Sequence, residues 1–200
     1  MAEMTALEAT YLQSDDPVIQ SGFHGGRERW ERERSPLSEA FDQDGDFLDV
    51  GCANGLLAAD VVAWAAGRGY RIVPYGVDLG EALIGLARDR LPDHAANFVV
   101  ADAWTWRPSR RWTFVYSLLD LSPVELRCEY VWRLYGWVAP GGRLIVGSYG
   151  SRIRNEAPEP LAELLGQCGL DVVGCSEGGE GPVTRFAWVA KPETVTQAAV

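Results

Sequence analysis

Between residues 47 and 149 short apolar runs alternate with helix-forming stretches, and that alternation leaves few folds open. Runs at 47–50, 72–77, 98–100, 112–119 and 143–149 read as strands. The run at 112–119 is apolar almost throughout, as a strand covered on both faces should be. An alanine- and valine-rich helix is expected over 54–66, with Gly67 and Gly69 beyond its end. A second spans 83–91 and is closed by Pro92. A third opens on the capping box Ser122-Pro123-Val124-Glu125 and runs to about residue 137. Pro140-Gly141-Gly142 reads as a turn, and a short helix near 161–168 ends at Gly169. Two last strands, 171–175 and 184–190, are joined by glycine-rich residues 176–182 with no helix between them, so they pair antiparallel. The expected architecture is α/β: a seven-stranded, mostly parallel sheet with helices on both faces and an antiparallel C-terminal hairpin.

The segment before the first strand reads differently. Residues through Ser21 and Gly22 lack a sustained period and are expected to form a loosely held arm. RERWERER, residues 27–34, alternates sign and allows pairs such as Glu28 with Arg32 at helical spacing. Most of these charges read as a solvated helix face, whereas Trp30 needs something to pack on. Ser35-Pro36 restarts a helix to about residue 41, which stops at Asp44-Gly45. The chain therefore divides into an N-terminal arm and helical lid at 1–45, a main domain at 46–192 and a tail at 193–200.

Composition narrows the partners. Eighteen basic against 28 acidic residues leave a net charge of −10, which repels phosphate backbones and makes nucleic acid an unfavourable partner. No apolar run approaches the roughly 20 residues of a membrane span. Met1-Ala2-Glu3-Met4 carries an acid where a signal peptide carries positive charge, so the chain reads as soluble and cytoplasmic. None of the four cysteines sits in a C-x-x-C pair, and all are expected as reduced thiols. His24 and His94 are too few and too distant in sequence for a metal cluster, so no metal is expected.

Asp49-Val50-Gly51-Cys52-Ala53-Asn54-Gly55 lies between the first strand and the first long helix, where a tight turn is expected to present N–H groups to a ligand. Asp78 follows the second strand, about 23 positions past Gly55, where an acid accepts ribose hydroxyls. Asp102 follows the third strand, where a carboxylate can take an adenine amino proton. Three acids at the carboxyl ends of three consecutive strands mark the edge at which open α/β sheets bind ligands. A nicotinamide dinucleotide fits poorly: the third glycine of G-x-G-x-x-G is missing, and Asp49 would oppose a pyrophosphate while suiting an ammonium or sulfonium.

FLDVGCANG, YGVDLGEAL, VVADAW, FVYSLLDLSP and VAPGGRLIVGSYG, in that order, resemble the successive motifs of class I S-adenosylmethionine-dependent methyltransferases, which have a Rossmann-like fold. The resemblance covers about residues 47–150 and, through the final hairpin, the rest of that domain. It implies S-adenosylmethionine as cofactor and S-adenosylhomocysteine as product. By it Asp49, Gly51, Cys52, Ala53, Asn54 and Gly55 hold the methionine part, and Asp78 holds the ribose. Leu79 packs on the adenine, Asp102 with Ala103 reads its edge, and Trp104 and Ser117 join the cofactor site. Ala53 departs from the family's middle glycine, which touches only the turn geometry. The material before the first strand is expected to close over the cofactor at 24–34, with Trp30 as an apolar plug and Arg29 or Arg34 facing the methionine carboxylate.

No residue type diagnoses the acceptor chemistry, because a sulfonium is a strong methyl donor and alignment alone supplies much of the rate. Candidates on the acceptor side are His24, Tyr116, Asp120 and Tyr149. With only the arm and the loops at 150–158 and 176–182 to build a lid, the expected acceptor is a small molecule, methylated on O or N. A cofactor-binding protein without transfer activity, and a protein or RNA methyltransferase using a basic rim at Arg107, Arg110 and Arg111, are the competing readings. Oligomeric state is not encoded in any of these features.

Overall fold

The computed structural model describes residues 8–151, 155–181 and 183–193, so the expected tail beyond 193 lies outside it, as do residues 1–7, 152–154 and 182. Seven strands form one sheet in the order β3-β2-β1-β4-β5-β7-β6. They are β1 (Gly45–Val50), β2 (Ile72–Asp78), β3 (Phe98–Val100), β4 (Trp112–Leu118), β5 (Val138–Tyr149), β6 (Val172–Gly178) and β7 (Thr184–Ala190). β1 pairs parallel with β2 and β4, β2 with β3, and β4 with β5. β7 runs antiparallel to both β5 and β6, so it alone opposes the other six. The strand order reverses between β1 and β4, and open sheets bind ligands beyond the carboxyl ends at such a point. Register brings those ends level, with Val50 opposite Val77 and Ser117, and Asp78 opposite Val100.

Alternation along the strands sorts side chains to two faces. Phe47, Phe114, Tyr116, Ile145, Phe186 and Trp188 face helices α2 (Gly26–Arg34) and α3 (Leu56–Gly67) and the 3₁₀ segment Ser35–Ala40. Leu48, Val115, Leu144, Val146, Ala187 and Val189 face α5 (Arg127–Trp137) and α6 (Leu161–Gln167). Helix α4 (Glu81–Arg90) packs through Ile84 and Ala87 against Phe98 and Ala58. Each fully buried Phe here contributes roughly 1.5–3 kcal/mol of apolar burial.

Several expectations need correction. The N-terminal arm is seated, not loose: α1 (Pro17–Gln20) has Pro at its first position and an Asp16 carboxylate accepting from the Val18 N–H at 2.8 Å. Glu8 Oε1 accepts from the Ala82 and Leu83 N–H groups at the start of α4, and the Asn54 amide donates to Pro17 O at 2.8 Å. These polar anchors are invisible to a search for hydrophobic period. In RERWERER the Glu28–Arg32 pair forms, but Glu33 and Arg34 are buried. Ser122 makes no capping box; its hydroxyl donates back to Leu119 O, and a 3₁₀ turn at Val124–Leu126 precedes α5. The crossover from β3 to β4 carries no helix, and Trp106 fills the space against Trp112 and Trp137. Cys128 and Cys168 are joined as a disulfide, because α5 and α6 lie on one face of the sheet and bring their Cα atoms to 5.2 Å. A separation of 40 residues hid that pairing; Cys52 and Cys175 remain free thiols. Among the described residues no helix is long and apolar enough to cross a membrane.

Candidate functional site

The glycine turn is built by backbone shape. Gly51, Ala53 and Gly55 have φ of 84°, 44° and 70°, the left-handed region that a Cβ disfavours. The two glycines serve different neighbours. A Cβ on Gly51 would meet only the flexible tip of Leu121, on the open side, whereas one on Gly55 would come within 2.8 Å of the Ala87 Cβ. Gly55 is thus the seat of α4 against the turn, and it does not face the ligand side.

Most of the turn's N–H groups are engaged within the protein, contrary to the expectation from sequence. Gly51 and Cys52 donate to Val77 O, Ala53 to Asp78 Oδ2 at 2.8 Å, Gly55 to Cys52 O, and Leu56 to Asn54 Oδ1. Asp78 Oδ1 accepts from Gly80 N–H at 2.9 Å. A site whose amides are already spent is poorly made for a pyrophosphate. What it leaves open is acidic. Asp49, 2% exposed, points a carboxylate oxygen, Oδ2, at no partner. Burial, reinforced by the Asp78 charge, pushes its pKa up to about 8. Burial also raises Asp78, while the backbone N–H groups of Gly80 and Ala53 pull it back.

Asp49 lines a cavity of about 190 Å³ whose wall also includes Gly51, Ala53, Trp30, Arg34, Tyr116 and Tyr149. The charge of Arg34 faces this cavity from the end of α2. Its guanidinium lies 3.5 Å from the Tyr149 ring centroid, 4.8 Å from Phe23 and 5.3 Å from Trp30. Nε and Nη1 are buried without a hydrogen-bond partner, Nη1 lying 3.6 Å from Glu33 Oε2 in a long ion pair. Arg29, the alternative from sequence, is engaged by Glu33 at 2.6 Å. A buried carboxylate and a buried guanidinium, each with unused hydrogen-bonding capacity in one cavity wall, suit a ligand bearing both an ammonium and a carboxylate.

Other expected residues divide. Cys52 lines the same cavity, and Leu79 stands 44% exposed beside Asp78. Asp102 accepts from the Trp104 N–H at 2.7 Å next to Ala103, and the Trp104 ring packs on Tyr130. Ser117 is a core residue: fully buried, its hydroxyl is bonded to Val50 O and Tyr130. Asn54 is buried behind the turn and grips the arm at Pro17 and Gln20. Tyr116 and Tyr149 share a hydroxyl hydrogen bond at 2.8 Å, and Asp120 stands close enough to raise the Tyr149 pKa. His24 is exposed and outside the cavity wall. Tyr11 and Phe23, not singled out in the sequence, complete the wall; a tyrosine in an aperiodic arm gave no signal.

The strand order and this edge have close counterparts among solved structures. An N-methyltransferase, NodS, from Bradyrhizobium japonicum WM9 in complex with S-adenosyl-L-homocysteine superposes with a TM-score of 0.64 at 16% identity, covering 94% of this chain and 98% of that one. A 1,6-didemethyltoxoflavin-N1-methyltransferase from Burkholderia thailandensis gives 0.60 at 21% identity, over 94% and 90%. A trans-aconitate 2-methyltransferase of Methylobacterium radiotolerans is 34% identical over 116 residues, 58% of this chain and 39% of the relative. The chain therefore has the fold of these solved methyltransferases. A ribosomal protein L11 methyltransferase of Xylella fastidiosa is 34% identical over 141 residues, 66% of this chain and 40% of the relative. The chain thus spans about two fifths of the length of those two curated relatives. No family model matches it.

Proposed function

We propose that the chain is an S-adenosylmethionine-dependent methyltransferase that transfers a methyl group to an O or N atom of a small molecule in the cytoplasm. The observation that carries the cofactor reading is the pair of unsatisfied buried groups, Asp49 Oδ2 and the Arg34 Nε and Nη1 donors. Asp49 would take the ammonium and Arg34 the carboxylate of the methionine part. Asp78 would accept from the ribose, Leu79 would pack on the adenine, and Asp102 and Ala103 would read its edge. When bound, the cofactor supplies an electrophilic methyl group. Residues up to 45 would act as cover and 46–192 as the catalytic unit.

On the acceptor side Tyr116 and Tyr149 are held neutral, since burial raises both phenols. Neither serves as a base near pH 7; they line and orient. The acceptor atom must therefore arrive with a free lone pair, and the protein's task is alignment and exclusion of water. Names among the relatives include a small acid, trans-aconitate, and a protein, L11. A seated cover over the strand edge favours the small acceptor. The basic rim lends little to an RNA reading: Arg107 donates to carbonyls of its own loop, and Arg110 to Tyr75 and Asp46. Titration calorimetry with S-adenosylhomocysteine tests the cofactor, with micromolar binding expected. No binding by the folded chain overturns the reading.

A further inference from the structure

Helix α2, GRERWERER, carries little apolar surface, so burial alone does not fix its position over the cavity. Its C-terminal end is tied to the hairpin: Thr184 Oγ1 donates to Glu33 O at 2.6 Å, and Ser176 Oγ to Pro36 O at 2.7 Å. Its middle and N-terminal end are tied to α3 through one carboxylate. Arg27 donates to both Asp60 oxygens, at 2.7 and 2.6 Å, and the Trp30 indole N–H donates to Asp60 Oδ2 at 2.7 Å. Three donors meet two oxygens, which fixes the rotation of the indole ring. That ring is one of the walls of the Arg34 guanidinium, with Phe23 edge-on behind it at 5.6 Å.

We propose that Asp60 is a positioning residue for ligand binding: through Arg27 and Trp30 it holds α2 so that Arg34, with two donors free of hydrogen bonds, lines the cavity. Asp60 itself is not part of the cavity wall. The proposal rests on the reading of Arg34 as the receptor for the cofactor's carboxylate. It makes a prediction that a merely structural role does not: the effect of Asp60 depends on whether the ligand has a carboxylate.

The test compares S-adenosylhomocysteine with 5′-methylthioadenosine, which keeps the adenosine and thioether but lacks the amino-acid head. Asp60→Asn leaves one acceptor oxygen for two donor groups. S-adenosylhomocysteine affinity is expected to fall about tenfold, with 5′-methylthioadenosine affinity unchanged. In an Arg34→Ala background Asp60→Asn should add nothing further. Arg27→Gln, at a half-exposed side chain that the core does not need, should show the same pattern more weakly and serves if Asp60→Asn does not fold. Equal losses for the two ligands, or losses additive with Arg34→Ala, overturn the positioning role while leaving the cofactor reading intact. A wild-type chain that binds neither ligand overturns the cofactor reading and this proposal with it.

Discussion

Asp49 and Asp60 are both buried carboxylates, one at the end of β1 and one on α3, and their surroundings are opposite. Asp60 has a donor for each oxygen and one to spare, with a guanidinium and an indole closing around it. Asp49 has an oxygen with no donor at all, a second acid nearby, and a pKa raised to about 8. Folded proteins satisfy their buried polar groups, so the satisfied acid belongs to the scaffold and the unsatisfied one marks where something else must enter. Arg27 and Arg34 repeat the contrast on one helix: Arg27 is spent on Asp60, while Arg34, among aromatic rings, has two donors without a hydrogen bond and only a long ion pair to Glu33.

The contrast breaks most visibly in stability. Asp60→Ala strands the buried Trp30 indole N–H, while half-exposed Arg27 keeps Glu31, and should cost about 1–3 kcal/mol, read as a lower urea midpoint. An Asp60→Ala variant as stable as wild type would remove Asp60 from the scaffold. Arg34→Ala should also lower the midpoint, since the buried side chain packs on Tyr149, Phe23 and Trp30, but its distinguishing effect is on the ligand: S-adenosylhomocysteine should weaken by roughly thirty- to hundredfold, or about 2–3 kcal/mol. Unaltered binding by calorimetry would show that Arg34 is a packing residue.

Titration sharpens the same comparison. Asp49 keeps its proton up to about pH 8 in the folded chain, while the unfolded carboxyl ionises near 3.8. The unfolded state therefore binds fewer protons in that window, and this group's contribution to stability falls as pH rises from about 4 to about 8. Asp49→Asn removes that slope, so its stability advantage over wild type should widen from pH 5 to pH 8 and then level off. A constant difference would mean that Asp49 is already ionised without ligand. An ammonium arriving at Asp49 must also displace that proton. Calorimetry at pH 7 in buffers of different ionisation heat should then report about one proton released per S-adenosylhomocysteine. The smallest expected effect is at Ala53, whose φ of 44° strains a residue with a Cβ. Ala53→Gly should stabilise the fold by roughly 0.5–1 kcal/mol, and a loss of stability would show that the turn needs the methyl group.

Much of this molecule was legible before its structure. The strands announce themselves as short apolar runs because both faces of the sheet are covered by helical layers, as at Phe47 and Leu48. The acids Asp49, Asp78 and Asp102 follow from strand ends, which parallel register brings level. What escaped was decided by contacts distant in sequence. Glu33 looks like part of a solvated helix face until the hairpin closes over it. Ser117 sits at a strand end like a ligand residue, yet its side chain points into the core toward Tyr130. Gly55 belongs to the motif by spacing but serves Ala87 of the next helix. The arm was missed because its anchors, Glu8 and Asp16, are polar, and polar anchors have no period.

The hydrogen bond from Thr184 to Glu33 spans 151 residues. It joins the cover helix to β7, the strand that must insert between β5 and β6 to complete the sheet. During synthesis the glycine turn and its three acids are all translated before that strand exists. A nascent chain halted after β5 would hold the cradle and the Asp60 tie at one end of the cover helix, but not the tie to β7 at the other. Loop closure over so many residues also makes this contact slow to form. The cover helix is thus held at one end by residues made early and at the other by the last strand to be made.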